Sequence, residues 1–211
     1  MTDDAPTFAF EARTSGPVAG VDEVGRGPMA GPVVAAAVIL TPGRIPDGID
    51  DSKALERDTR ERLHDEIRAA AAVGIAAASV RTIDAINILQ ATMLAMRRAV
   101  ARLPLAPALV IVDGNRLPDL PYPAMALIRG DARSLSVAAA SIVAKVVRDR
   151  LMTKLAARYP QFGWDNNAGY CTAEHLAAVA RHGPSAHHRR SFAPVRAALT
   201  QELESQLALT L

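Results

Sequence analysis

The sequence predicts an α/β fold with an antiparallel strand pair at its front and helices between most of its later strands. Three observations predict it. Two apolar, β-leaning runs, Val18 to Val24 and Val33 to Leu40, flank Gly25-Arg26-Gly27-Pro28-Met29-Ala30-Gly31-Pro32, a connection too rich in glycine and proline for regular structure. Further on, apolar residues at helical spacing alternate with short apolar runs ending in Asp-Gly or Gly-Asp. Hydrophobic residues make up 50% of the 211-residue chain and charged residues 22%, which excludes disordered, collagen-like and coiled-coil chains.

Each element has its own signal. Residues 1–16 lack periodicity and read as a flexible leader, with Phe8 and Phe10 placed to pin it to the body. After the first strand pair and a Pro/Gly/Asp loop over 41–50, Ser52 or Asp58 caps a helix running to about Ala72, with Leu63, Ile67 and Ala71 as its stripe. Gly74 to Val80 is a third strand. Ile83, Ile86, Leu89, Met93, Met96, Val100 and Leu103 recur at steps of three and four, and Pro104 and Pro107 stop that helix. Ala108 to Val112 and Met125 to Ile128 are the fourth and fifth strands. Ser134 or Ser136 opens an alanine-rich helix to about Ala157, its small residues suited to close approach to a sheet. Trp164 to Gly169 is a polar loop. Thr172 begins a helix to about His182, and a last helix runs from about Pro194 to Leu209.

The charge sum, 24 basic against 22 acidic residues, is +2, too small to name a polyanionic partner, although the sequence pI of 9.0 permits one. One cysteine, Cys171, excludes an internal disulfide and suits a reducing compartment. The longest apolar stretch, Val33 to Leu40, falls short of the roughly 20 residues a bilayer requires. The acidic start Met1-Thr2-Asp3-Asp4 is not that of a signal peptide. A soluble, cytoplasmic, monomeric protein with no membrane partner is expected.

Four acids occupy unusual places: Asp22 and Glu23 in the first strand, Asp113 ending the fourth, and Asp131 just after the fifth. Carboxylates at strand ends converge where α/β sheets bind ligands, and their mutual repulsion calls for a cation, Mg²⁺ or Mn²⁺ for all-oxygen donors. The plainer alternative makes Asp113-Gly114 a turn and Asp131 a loop acid. Neighbours on a strand point to opposite faces, so Asp22 and Glu23 share a site only if the strand ends or bulges there. Gly25-Arg26-Gly27 is either a glycine turn with a solvated arginine or a loop whose backbone N–H groups meet phosphate or sugar oxygens. From His175 to Gln201 there is no acid, whereas Arg181, Arg189, Arg190, Arg196 and four histidines fall there. That stretch reads as a phosphate-facing surface or a solvated face, and the adjacent His187-His188 without a cysteine pair argues against zinc.

Together these residues resemble the type 2 ribonuclease H family, in its bacterial ribonuclease HII branch. The blocks are collinear: Ala19-Gly20-Val21-Asp22-Glu23-Val24-Gly25-Arg26-Gly27-Pro28, Asp51-Ser52-Lys53, Ile86-Asn87-Ile88-Leu89-Gln90-Ala91-Thr92, Val112-Asp113-Gly114, Gly130-Asp131 through Lys145, Gly169-Tyr170, and His188-Arg189-Arg190-Ser191-Phe192. The resemblance implies an RNase H-like mixed five-stranded sheet flanked by helices, with a small C-terminal helical appendage. It divides the chain into a leader (1–16), a catalytic domain (17–160) and a C-terminal substrate-binding segment (161–211). It implies hydrolysis of RNA in RNA–DNA hybrids and cutting on the 5′ side of single ribonucleotides in duplex DNA. The products expected are a 3′-hydroxyl and a 5′-phosphate. The family's catalytic, metal-holding set falls on Asp22, Glu23, Asp113 and Asp131, with two divalent ions in catalysis. Its substrate-binding set falls on Gly25, Arg26, Gly27, Lys53 and Tyr170. Ala168, Ala85 and Cys171 depart from the family pattern, and none is an expected metal ligand. The rival readings are another metal-dependent nuclease on a similar sheet and a non-catalytic nucleic-acid-binding module. Metal-dependent cutting of a duplex carrying one ribonucleotide, beside an all-DNA control, separates them.

Overall fold

The computed structural model describes residues 5–208, from 201 onward by backbone alone. The first four residues of the leader and Leu209, where the last helix was expected to end, lie outside the described residues. β1 (Val18–Val24) and β2 (Val33–Ile39) pair antiparallel, as the glycine–proline connection predicts. β3 (Ala72–Ala78) borders β2, while β4 (Leu109–Asp113) runs parallel to β1 and β5 (Ala124–Leu127) parallel to β4. The order β3-β2-β1-β4-β5 is the expected mixed five-stranded sheet.

The chain forms two compact units. One comprises the residues up to Val24, Val34–Ala77 and Thr92–Val147; the other comprises Gly25–Val33, Ala78–Ala91 and the residues from Arg148 on. Within the second unit, the buried Arg148 donates to the Pro32 and Ala30 carbonyls, fastening the glycine–proline segment to the C-terminal residues.

In the first unit, α1 (Arg57–Ala70) and α3 (Leu135–Arg158) supply Leu63, Ile67 and the alanines from Ala138 to a core shared with Ala36 and Val38 of β2. β1 has no room for a side chain at Gly20: a Cβ there would lie 2.1 Å from the Ser136 carbonyl carbon. Gly20→Ala must push the first turn of α3 off the sheet, and should lower stability by about 3 kcal/mol in a denaturant melt. Neither expected cap serves α1. Glu56 holds the cap position without a side-chain bond, and Ser52 instead accepts from the Ser141 hydroxyl at 2.6 Å in the core.

α2 (Val80–Val100) is not the single unbroken helix its periodicity predicts. Asn87 breaks it with φ 64° and ψ 166°, and the Asn87 Oδ1 accepts from Gln90 N–H at 3.0 Å to cap the continuation. The leader is also more tightly held than expected. Phe8 packs on the α1–α3 core, Phe10 lies 5.2 Å from the Arg133 guanidinium, and Glu11 is buried. The Glu11 Oε1 accepts from the Ser134 hydroxyl at 2.7 Å and the Ser136 N–H at 2.9 Å, supplying negative charge where the opening turn of α3 has unpaired donors.

In the second unit, α4 (Trp164–Asn167), α5 (Ala173–His182) and α6 (Ala193–Ala208) gather around Trp164, Phe162, Met152, Val179 and Val195. The polar loop expected at Trp164 begins instead as a short helix, because its indole is buried and stacked on Phe162 at 5.2 Å. Thr172 caps α5 as predicted, accepting from His175 N–H. No helix among the described residues is long and apolar enough to cross a membrane.

Candidate active site

The parallel register that sets Val21 against Val112 puts Asp22 and Asp113 next to each other on neighbouring strands, facing the same side of the sheet. Asp131 joins them through the turn after β5, where Gly130 N–H donates to the Asp113 Oδ1 at 2.7 Å. Each aspartate has an oxygen aligned by a backbone N–H: Glu23 on Asp22 at 2.7 Å, Gly130 on Asp113, and Ala132 on Asp131 at 3.0 Å. The carboxylates are thus fixed by the main chain before any ligand arrives.

The ladder of β1 runs regularly through Val24, with neither an end nor a bulge at residue 22. Glu23 accordingly projects to the opposite face of the strand from Asp22, half-buried, but its charge still reaches its neighbour. Burial first, then the charges of Glu23, Asp113 and Asp131, hold the Asp22 carboxyl well above the ordinary aspartate range. Asp113 is raised mainly by burial and also by Asp131, against the pull of the Gly130 and Gly114 N–H groups and Lys53. The Lys53 ammonium lies 3.4 Å from the Asp131 Oδ2 and 3.8 Å from the Asp51 Oδ1. Burial opposes its charge, but Asp51, Asp131 and Asp22 together raise its pKa.

These features meet the requirements of a divalent cation: hard oxygen donors, mutual repulsion awaiting relief, and an ammonium already standing among them. Among the described residues no three carboxylate, imidazole or thiol groups are drawn into a closed ligand set.

In the second unit, Gly25 has φ +95°, and a Cβ on it would fall 2.1 Å from the Arg148 Nε and 2.9 Å from the Pro32 oxygen. No other residue fits there. Arg26 and Gly27 are exposed, and a Cβ on Gly27 would lie 3.4 Å from the Tyr170 ring, which is 49% exposed. Loop and ring are thus side by side and open to a ligand. Ala168, a departure from the family pattern, takes the left-handed conformation at φ 47°, and Cys171 is exposed.

A family model for ribonuclease HII matches residues 19–195. The chain belongs to the ribonuclease HII family. Ribonuclease HII of Paramagnetospirillum magneticum is 57% identical over 194 residues, 90% of this chain and 96% of that one. Ribonuclease HII of Ruegeria pomeroyi is 59% identical over 186 residues, 88% of this chain and 80% of that one. The crystal structure of ribonuclease H2 from Pyrococcus horikoshii OT3 is similar with a TM-score of 0.74 at 28% identity, covering 88% of this chain and 98% of that one. The family makes the chain a ribonuclease H, an endonuclease of RNA–DNA hybrids.

In this ribonuclease HII chain, Arg189 differs from the sequence expectation. Read as phosphate-facing, it is fully buried and donates to the carbonyls of Gly25, Arg26 and Gly31. Its neighbour Arg190 is exposed, with its backbone N–H on the Asp84 carboxylate at 3.0 Å. Sequence reasoning missed Asp84, Arg148 and Glu11. Nothing local marks an arginine or a glutamate as buried, because the carbonyls and hydroxyls that satisfy it come from distant parts of the chain.

Proposed function

We propose that this chain cuts the 5′ side of a single ribonucleotide embedded in duplex DNA, as well as RNA in longer hybrids, leaving a 3′-hydroxyl and a 5′-phosphate. The observation that carries the reading is the main-chain alignment of Asp22, Asp113 and Asp131 around shared excess negative charge. Asp22, Asp113 and Asp131 would hold two divalent ions, Mg²⁺ or Mn²⁺, with Glu23 adding its charge to theirs from the neighbouring strand position. Such ions activate water and neutralise charge building on the phosphate. Lys53 supplies a positive charge for a neighbouring phosphate once the acids no longer retain it. The backbone at Gly25-Arg26-Gly27 meets a 2′-hydroxyl, which is both donor and acceptor, and the Tyr170 ring packs on the deoxyribose beside it.

One gel tests the reading. Wild type is given a duplex with one ribonucleotide, a long RNA–DNA hybrid and an all-DNA duplex, each with Mg²⁺, with Mn²⁺ and with chelator. Cutting of the first two with either ion, at the 5′ side of the lone ribonucleotide, is expected. Cutting of DNA alone, or cutting in chelator, would refute it.

A further inference from the structure

The segment His187-His188-Arg189 lies extended against Met29-Ala30-Gly31: His188 bridges Ala30 antiparallel, Gly31 N–H donates to His187 O, and Arg189 N–H to Met29 O, each at 2.9 Å. Successive residues of an extended strand point to opposite sides. From this dipeptide His188 and Arg189 reach the two features assigned above to ribose reading. We infer that His188 and Arg189 are paired positioning residues, Arg189 setting the Gly25-Arg26-Gly27 backbone and His188, through His175, setting Tyr170. The inference rests on the junction reading proposed above.

Arg189 acts through its fork. Nε donates to Gly31 O at 3.0 Å, Nη1 to Arg26 O at 2.8 Å, and Nη2 to Gly25 O at 2.5 Å and Gly31 O at 2.9 Å. Phe192 packs under the guanidinium at 5.0 Å, holding its plane. In a trans peptide the N–H of the next residue points opposite to the carbonyl. Turning the Gly25 and Arg26 carbonyls onto a buried cation therefore turns the Arg26 and Gly27 N–H groups away from it. Both residues are exposed, on the side of the loop a ligand can reach. A lysine carries the charge but cannot span three carbonyls.

His188 acts through a chain of fixed tautomers. Its Nδ1 lies 2.9 Å from the Ser185 N–H, which only donates, so the His188 proton sits on Nε2. That N–H donates to the His175 Nε2 at 3.0 Å, which also accepts from the Trp164 indole at 2.9 Å. The His175 proton is left on Nδ1, which donates to the Tyr170 carbonyl at 2.8 Å. Both rings stay neutral: burial, then the neighbouring imidazole, push His188 down to about 4, and burial lowers His175. Arg158 is the cation near His187, and Arg148 the one near Arg189.

The test uses the full chain and three variants, Arg189→Lys, His188→Asn and His188→Gln, with Tyr170→Ala for reference. Binding to a one-ribonucleotide duplex and to all-DNA of the same sequence is read by anisotropy in metal-free buffer. Cleavage is read as kcat/KM on the one-ribonucleotide duplex and on a long hybrid, with thermal midpoints alongside. Arg189→Lys should lose about tenfold of the binding preference for the ribonucleotide with all-DNA affinity unchanged, as a sub-ångström misplacement of donors implies. His188→Asn keeps an acceptor for Ser185 but has no donor reaching His175, so its junction-to-hybrid ratio should fall toward that of Tyr170→Ala. His188→Gln, whose amide nitrogen reaches the Nε2 position, should restore the ratio. Wild-type preferences in both Arg189→Lys and His188→Asn would overturn the inference. So would equal losses on every duplex with a lowered midpoint, the mark of a merely structural role. If wild type itself shows no preference for the ribonucleotide, the junction reading has failed before any substitution, and this inference falls with it.

Discussion

Asp22→Asn and Asp113→Asn should each remove cleavage while making the metal-free protein harder to melt. Each loses a carboxylate that would help hold charge against the phosphate, and several kcal/mol of transition-state stabilisation corresponds to ~1000-fold or more in rate. The stability gain follows from the direction of the Asp22 shift. Its folded pKa stands above the ordinary value of 3.8, so between the two the native state keeps a proton that the unfolded chain has released. Stability therefore falls as pH rises through that window, and the cost is fully present only above the folded pKa. Asn carries no such cost. Melts at neutral pH should place both variants above wild type, and melts below the unfolded pKa should bring them level. Retained turnover in either variant would remove that carboxylate from the site.

Tyr170→Ala should cost about 100-fold on a duplex with one ribonucleotide and far less on a long hybrid. The ring is half-exposed and contributes little to the core, so the thermal midpoint should barely move. Its backbone is held independently, by His175 on its carbonyl and by its own N–H on Asn167 O at 2.8 Å. The substitution consequently removes a surface and leaves the loop in place. Equal losses on the two substrates would mean that the ring does not read the junction.

The elements with strong local signals were legible in the sequence. The strand pair around the glycine–proline connection, the Thr172 cap and the alanine-rich helix all stand close to their expected places. Asp113 closes β4 and Asp131 follows β5, positions that hydrophobic runs announce. The break at Asn87 was hidden because Ile83, Ile86 and Leu89 keep the helical phase across it. The signal that could have found it was the Asn87-to-Gln90 spacing, a cap pattern inside an apolar run. Arg189 was misread for a different reason: an acid-free stretch looks like a phosphate-facing surface whether its arginines meet solvent or buried carbonyls. Glu11 left no trace at all, because its partners Ser134 and Ser136 stand more than 120 residues away.

The strand order also has a consequence for synthesis. β1 meets β2 across a short connection, so that hairpin is available as soon as it leaves the ribosome. Its other neighbour, β4, emerges only much later, and the turn carrying Asp131 later still. Non-local pairings of this kind form after the local ones. A nascent chain thus carries Asp22 and Glu23 through a long stretch of its translation without Asp113 or Asp131 beside them. A chain interrupted before β4 lacks the parallel neighbour of β1, and with it the pairing that sets Asp113 beside Asp22.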